Sequence, residues 1–285
     1  MTNTPINTLI MPDQERLAVQ DHPYSNGQAL RGQIVLVHGL GEHMGRYAHV
    51  IQRLNNWGFD VRSYDHYGHG KSSGLRGCLP SPNRLLDDLG MVIDATRKQM
   101  AQRNVAQGTP LILLGHSMGG LVAARFVSLA IRPVDALVLS SPALGAKLSG
   151  FQKFLLSTLP FVAPHLAVAN GLNASKISHD PAVVQAYLAD PLVHNKISPL
   201  LGKFIFDNGA ATIAKAPEWK VPTLLIYAGQ DKLVDPAASH MFTSLAPKPL
   251  LQSTCYDALY HEIFNEVDSS AVFGELRAWL DTRFG

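Results

Sequence analysis

Apolar residues in this chain fall into short continuous runs separated by stretches with helical spacing. Residues 34–37 read as a buried strand, followed by a Gly-rich turn. Across 46–57, Tyr47, Val50, Ile51, Leu54 and Trp57 recur every three or four residues, which predicts a helix with one apolar face. Gly58 suits the position just past that helix, where the backbone turns left-handed. Phe59–Tyr64 predicts a second strand. A helix over 83–100 places Leu85, Leu86, Leu89, Ile93 and Met100 on one side. Further strands are expected at 111–114, 136–139, Thr223–Ala228 and 250–256, with helices over 119–131 and 269–284. Strands that read as unbroken apolar runs and alternate with helices imply an α/β protein. Its sheet is mostly parallel, with helices on both faces.

Residues 145–216 break this rhythm. They carry Pro160, Pro164, Pro181, Pro191 and Pro199, and their pattern is one of short helices. The expected organisation is therefore a core of 1–144 and 217–285 with a helical cap inserted at 145–216. The chain of 285 residues suits one large domain with such an insertion.

Charge sharpens this picture. Charged residues are 16% of the chain, against an average of about 25%, while hydrophobic residues are 46%. That balance excludes a disordered chain. The net charge is +2 and no basic tract stands out, so nucleic acid is not an expected partner. Residues 146–216 hold six Lys, three Asp and no Arg or Glu. Residues 154–172 hold no charge at all, yet Pro160 and Pro164 interrupt them, so a membrane span is not expected. Two readings remain for that stretch, a core helix or a lipid-facing lid. Cys78 and Cys255 are too few for a disulfide framework and suit free thiols in a reducing compartment. The N-terminus has neither the charge nor the apolar core of a signal peptide. A cytoplasmic protein, with peripheral membrane contact as an option, is the resulting expectation.

The strongest chemical signal is Gly115-His116-Ser117-Met118-Gly119, between the strand LILL and the helix GGLVAARF. A GxSxG in that context places a serine on a sharp strand-to-helix turn, with its hydroxyl above the sheet. A serine hydroxyl needs a base to take its proton and an acid to orient that base. The expected chain order is Ser, acid, then His. Asp231 follows the strand TLLIYA and His261 follows the next strand, so both fall at the sheet edge where α/β proteins bind ligands. Asp235 and Asp257 are the rival acids. Asp235 precedes Pro236 and a helical run, which suits an N-cap.

The turn His38-Gly39-Leu40-Gly41 follows the strand IVLV. In such hydrolases this turn and the residue after the nucleophile supply the oxyanion hole, which assigns the backbone N–H groups of Leu40 and Met118. Gly39, Gly41 and Gly45, with Asp65 ending the next strand, also form a near miss for a dinucleotide fingerprint. That reading leaves Ser117 unexplained. His66 and His69 flank a Gly-rich loop, but no third ligand motif accompanies them, so no metal is expected.

These residues resemble a known family. HGLGEHMGRY at 38–47, YDHYGHGKSSG at 64–74, GHSMGG at 115–120, and the late Asp231 and His261 are similar to monoacylglycerol lipases and bacterial lysophospholipases. That group has the α/β-hydrolase fold and is often labelled serine aminopeptidase S33. The resemblance runs from about residue 30 to the end, and 178–198 also looks like family sequence. It implies Ser117 as nucleophile, His261 as base, Asp231 as orienting acid, and Leu40 and Met118 as the oxyanion hole. It places Glu42 and Arg46 at the glycerol end of the substrate; a structural ion pair at a helix start is the equal alternative. Where the mammalian lipases have a second His near the alcohol, this chain has Phe264.

The expected activity is hydrolysis of single-chain lipid esters, monoacylglycerol or lysophospholipid, with no cofactor. Contact with membranes or micelles through the cap is the expected interaction, and no oligomeric state is implied. The alternatives are a carboxylesterase or peptidase for small non-lipid substrates, and a non-catalytic binding protein on the same fold.

Overall fold

The computed structural model describes residues 4–25, 29–146 and 157–285. In chain order its strands are β1 (Ile6–Ile10), β2 (Arg16–His22), β3 (Gly32–Val37), β4 (Phe59–Tyr64), β5 (Leu111–His116), β6 (Ala136–Ser140), β7 (Val168–Ala169), β8 (Lys196–Ile197), β9 (Thr223–Ala228) and β10 (Leu251–Tyr256). Among the described residues, eight of them form one sheet in the order β1-β2-β4-β3-β5-β6-β9-β10. The pairings from β4 to β10 are parallel. β2 runs antiparallel to β1 and to β4. Every residue of β3, β4, β5, β6 and β9 is buried; β5, β6 and β9 are chiefly apolar, while β4 buries Asp60 and Arg62 against Arg103 and Asp21.

The named helices are α1 (Ala48–Asn56), α2 (Arg84–Gln102), α3 (Ser117–Ser128), α4 (Pro181–Ala189), α5 (Pro199–Ala214), α6 (Pro236–Leu245) and α7 (Ser270–Phe284). Strand alternation divides the core into two layers. Ile34 and Leu36 of β3 face one cluster with Val50, Leu54, Leu276 and Leu280, from α1 and α7. Val35 and Val37 face the other, with residues of α2, α3, α5 and α6.

Two expectations need correction at their edges. The helix expected over 46–57 begins as a 3-10 turn at Met44–Tyr47 and becomes α1 only at Ala48. Gly58 does follow its end, with φ +95°. The strands β1 and β2 were not expected. β1 lies at the sheet edge with most of its residues exposed, and β2, between β1 and β4, buries only Leu17, Ala18 and Val19. An edge strand has no second neighbour to bury against, so its sequence carries no continuous apolar run.

Between β6 and β9 the chain leaves the sheet. The described part holds a helical run over 157–162, a two-stranded ribbon of β7 and β8, and helices α4 and α5. Asp180 caps α4 by accepting from Ala182 N–H, and Ser198 caps α5 by accepting from Leu201 N–H. Proline opens both helices. α5 packs against α3, and its Leu201 and Phe204 join the core cluster there. Of the uncharged stretch 154–172, residues 154–156 lie outside the described residues. Phe161 and Val162 within it are 77% and 78% exposed, so it is not a buried core helix. No helix among the described residues is long and apolar enough to cross a membrane.

Candidate active site

Strand β5 turns into α3 with no intervening loop, and Ser117 sits on the turn with φ +53°. That left-handed backbone is strained for any residue but glycine. The flanking glycines make it possible. A Cβ at Gly115 would lie 2.5 Å from the Gly119 carbonyl oxygen, and one at Gly119 would lie 2.2 Å from that of Val37. The helix therefore starts in backbone contact with the sheet. Its first N–H groups, Met118 among them, have no partner within the helix and point at whatever lies above the serine.

The two late residues converge on this turn. Asp231 lies just past β9, where its Oδ1 accepts from the N–H groups of Leu233 and Val234 at 2.8 and 3.0 Å. Its Oδ2 is 2.6 Å from His261 Nδ1, and His261 Nε2 is 2.8 Å from Ser117 Oγ. The three residues lie within hydrogen-bond reach, with Asp231 and His261 buried. Asp235 instead caps α6 through Ala237 N–H, and Asp257 accepts from the Cys255 thiol. Burial by itself would push the His261 imidazole down. The Asp231 carboxylate outweighs burial and holds it above the ordinary histidine value. Burial likewise favours the neutral Asp231 acid, but His261 keeps its carboxyl below the usual range. His116, whose ring centre is 4.8 Å from that of His261, is pushed down to about 4, chiefly by burial and then by His261.

The turn after β3 closes the other side. A Cβ at Gly39 would come within 3.2 Å of Ser117 Cβ, so the turn passes directly beside the serine. Gly39 N–H donates to Glu42 Oε1 at 2.6 Å. Gly41 has φ +76°, and its carbonyl accepts from His194 N–H at 2.8 Å. Leu40 and Met118 both border the cavity that contains Ser117. The buried imidazoles of His38, His66 and His69 support this turn. His38 Nε2 accepts from His66 N–H, which leaves its Nδ1–H to donate to Gly39 O. Burial pushes His38 down to about 3 and keeps all three neutral near pH 7. Among the described residues, no group of three or more His, Cys, Asp or Glu is arranged to hold a metal ion. Asp65 accepts from Met44 N–H and Lys71 N–H, which makes it a brace between two loops. The near-fingerprint of glycines thus serves the turn.

The cavity over Ser117 has a volume of about 1370 Å³. Leu159, Leu188, Ile205, Phe206, Ile213 and Met241 give it a long apolar wall, all but Met241 from the segment between β6 and β9. The serine aminopeptidase S33 profile matches residues 28–268. This chain belongs to that family of hydrolases.

Its relatives in the family extend the match. A monoacylglycerol lipase of Mycolicibacterium smegmatis is 33% identical over 88% of this chain and 88% of its own length. The phospholipase YtpA of Bacillus subtilis is 32% identical over 87% of this chain and 94% of its own. The crystal structure of Paleococcus ferrophilus monoacylglycerol lipase superposes with a TM-score of 0.82 at 33% identity, covering 93% of this chain and 98% of that one. An abhydrolase domain-containing protein of Dictyostelium discoideum is 30% identical over 98% of this chain, which spans 29% of that protein's length. The fold is the α/β-hydrolase fold.

Two family positions that the sequence singles out, Phe264 and Arg46, have these surroundings in the structure. Phe264 is buried and packs on Phe273 with ring centres 5.0 Å apart, so this position offers no group to a substrate alcohol. Arg46 lies between two carboxylates, Glu42 at 2.6 Å and Glu262 at 2.7 and 2.8 Å. Glu262 escaped the sequence reading. Its only signal was that it follows His261, and its partner is 216 residues away.

Proposed function

We propose that this protein hydrolyses the carboxylic esters of single-chain lipids through an acyl-enzyme on Ser117. The observation that carries this reading is the hydrogen-bonded run Ser117–His261–Asp231 at the floor of a cavity with an apolar wall. Its relatives named monoacylglycerol lipase and phospholipase support the lipid class.

Ser117 Oγ attacks the ester carbonyl while His261 Nε2 takes its proton. Asp231 holds the imidazole by Nδ1 and stabilises the imidazolium as it forms. The Leu40 and Met118 N–H groups receive the negative charge that develops on the carbonyl oxygen, a contribution worth about 2.7–4 kcal/mol per donor. His261 returns the proton to the leaving alcohol. A water then enters, is deprotonated by His261, and releases the fatty acid. No step needs a metal or organic cofactor.

We read 145–216 as a cap on the core of 1–144 and 217–285. Its inner face lines the acyl-binding cavity. Its outer residues Phe161, Val162 and Leu166, each more than half exposed, suit transient contact with micelles or membranes.

The test is a chain-length series of p-nitrophenyl esters alongside monoacylglycerol and lysophospholipid, with Ser117→Ala as control. Long chains are expected to be preferred, and the control to be inactive. Preference for acetyl with failure on long chains would favour the small-ester or peptide reading. No turnover, together with no labelling of Ser117 by a fluorophosphonate, would favour a binding protein.

A further inference from the structure

The oxyanion turn and the general base come from opposite ends of the chain. The turn follows β3, and His261 follows β10. Their relative position must hold to within about 0.5 Å for catalysis, because a misplacement of about 1 Å costs on the order of a hundredfold. We infer that Glu262 is a positioning residue, which acts through Arg46 and Glu42 to lock the oxyanion turn to the loop carrying His261. This inference rests on the Ser117 hydrolase reading above.

The linkage is continuous. Gly39 N–H donates to Glu42 Oε1 at 2.6 Å, which fixes the His38–Gly39 peptide, one before the peptide that carries the Leu40 N–H. Glu42 Oε2 accepts from Arg46 Nη1 at 2.6 Å. Arg46 then reaches Glu262 with both Nη1 and Nη2, in the fork geometry that a guanidinium alone provides. Glu262 is itself held. Its N–H donates to Ile177 O at 2.7 Å, and its Oε2 also accepts from Asn265 Nδ2 at 2.8 Å. The side chains of Glu42, Arg46 and Glu262 are only 4%, 11% and 7% exposed.

This arrangement argues against a role in reading the glycerol end. Glu42 Oε1 already accepts from Gly39 N–H and from the Tyr47 hydroxyl, and its Oε2 from Arg46. The Arg46 fork is filled by carboxylates, and Tyr187 covers its face with the ring centre 4.7 Å away. Little remains to bind a substrate hydroxyl.

The trio also carries a net negative charge beside the base. The charged or titratable groups facing His261 are Asp231 past β9, His116 at the elbow, Glu262 on its own loop, and Glu42 and Arg46 after β3. After Asp231, Glu262 and Glu42 are the next groups that favour the imidazolium.

The test compares wild type with Glu262→Gln and Arg46→Lys on a p-nitrophenyl ester, which has no glycerol, and on monoacylglycerol. Fluorophosphonate labelling rates and melting temperatures are measured on the same proteins. Both variants are expected to lose about tenfold or more in kcat on both esters, with KM changed less than about twofold. Labelling should slow by a similar factor. Glu262→Gln should also move the acid limb of kcat/KM to lower pH, because it removes a negative charge near the imidazolium. Arg46→Lys keeps its charge and should leave the limb in place. A loss confined to monoacylglycerol and expressed in KM would overturn the inference in favour of head-group binding. A lower melting temperature with unchanged rates and limb would overturn it in favour of a purely structural ion cluster. Labelled wild type with variants that match it overturns this inference alone. Wild type that neither labels nor turns over overturns the hydrolase reading and the inference together.

Discussion

Helices α3 and α4 are both apolar, yet they sit in opposite environments. α3, which begins at Ser117, buries Leu121, Val122, Phe126 and Val127 against the sheet and α2. α4 carries Val183, Val184, Tyr187 and Leu188, and none of its residues is buried. Each large side chain buried in α3 contributes roughly 1.5–3 kcal/mol to the fold. The α4 side chains contribute little of this kind, since Leu188 stays 62% exposed. Apolar residues that do not stabilise the core serve another purpose, and here Tyr187 and Leu188 border the cavity over Ser117. The lesson is a division of labour. The sheet side fixes the reacting atoms, and the segment between β6 and β9 gives the cavity its apolar lining.

That division can be broken at several points. The largest effect belongs to Ser117→Ala, which should lower turnover at least about a thousandfold with little change in melting temperature. Gly119→Ala should follow. Its new Cβ would lie 2.2 Å from Val37 O, so a loss of about 1–3 kcal/mol in unfolding free energy is expected with a clear loss of activity. Leu188→Glu should behave in the opposite way. Stability should stay within about 0.5 kcal/mol, acetyl-ester turnover should be unchanged, and long-chain turnover should fall several-fold. Equal losses on short and long esters would contradict the division. The smallest effect is in the pH profile. Asp231 holds His261 above the ordinary value of about 6.5, so kcat/KM should fall as pH drops through a midpoint above that value. A profile flat from pH 5 to 8 would count against His261 as base.

The sheet side was also the more legible of the two. Thr223–Ala228 is read to the residue because a strand buried on both faces leaves an apolar run, whereas in Phe59–Tyr64 that run is interrupted by Asp60 and Arg62, which are buried against Arg103 and Asp21. Ser117 and the glycines around it are legible because the elbow tolerates no Cβ at 115 or 119. The edge strand β1 left no such run, and its neighbour β2 left only Leu17, Ala18 and Val19. Two-residue strands such as Val168–Ala169 are too short for any period to register. The sequence places Arg46 and Glu42 one helical turn apart, so their pairing can be anticipated. Glu262 joins them only through the fold, and no spacing announces a partner 216 residues away.

The central claim is that Ser117 carries the acyl group. The direct measurement is mass spectrometry of the protein after reaction with a long-chain fluorophosphonate. One adduct is predicted, on the peptide that contains Ser117, formed by wild type and absent from Ser117→Ala. An adduct on another residue, or an equal adduct on the variant, would contradict the account.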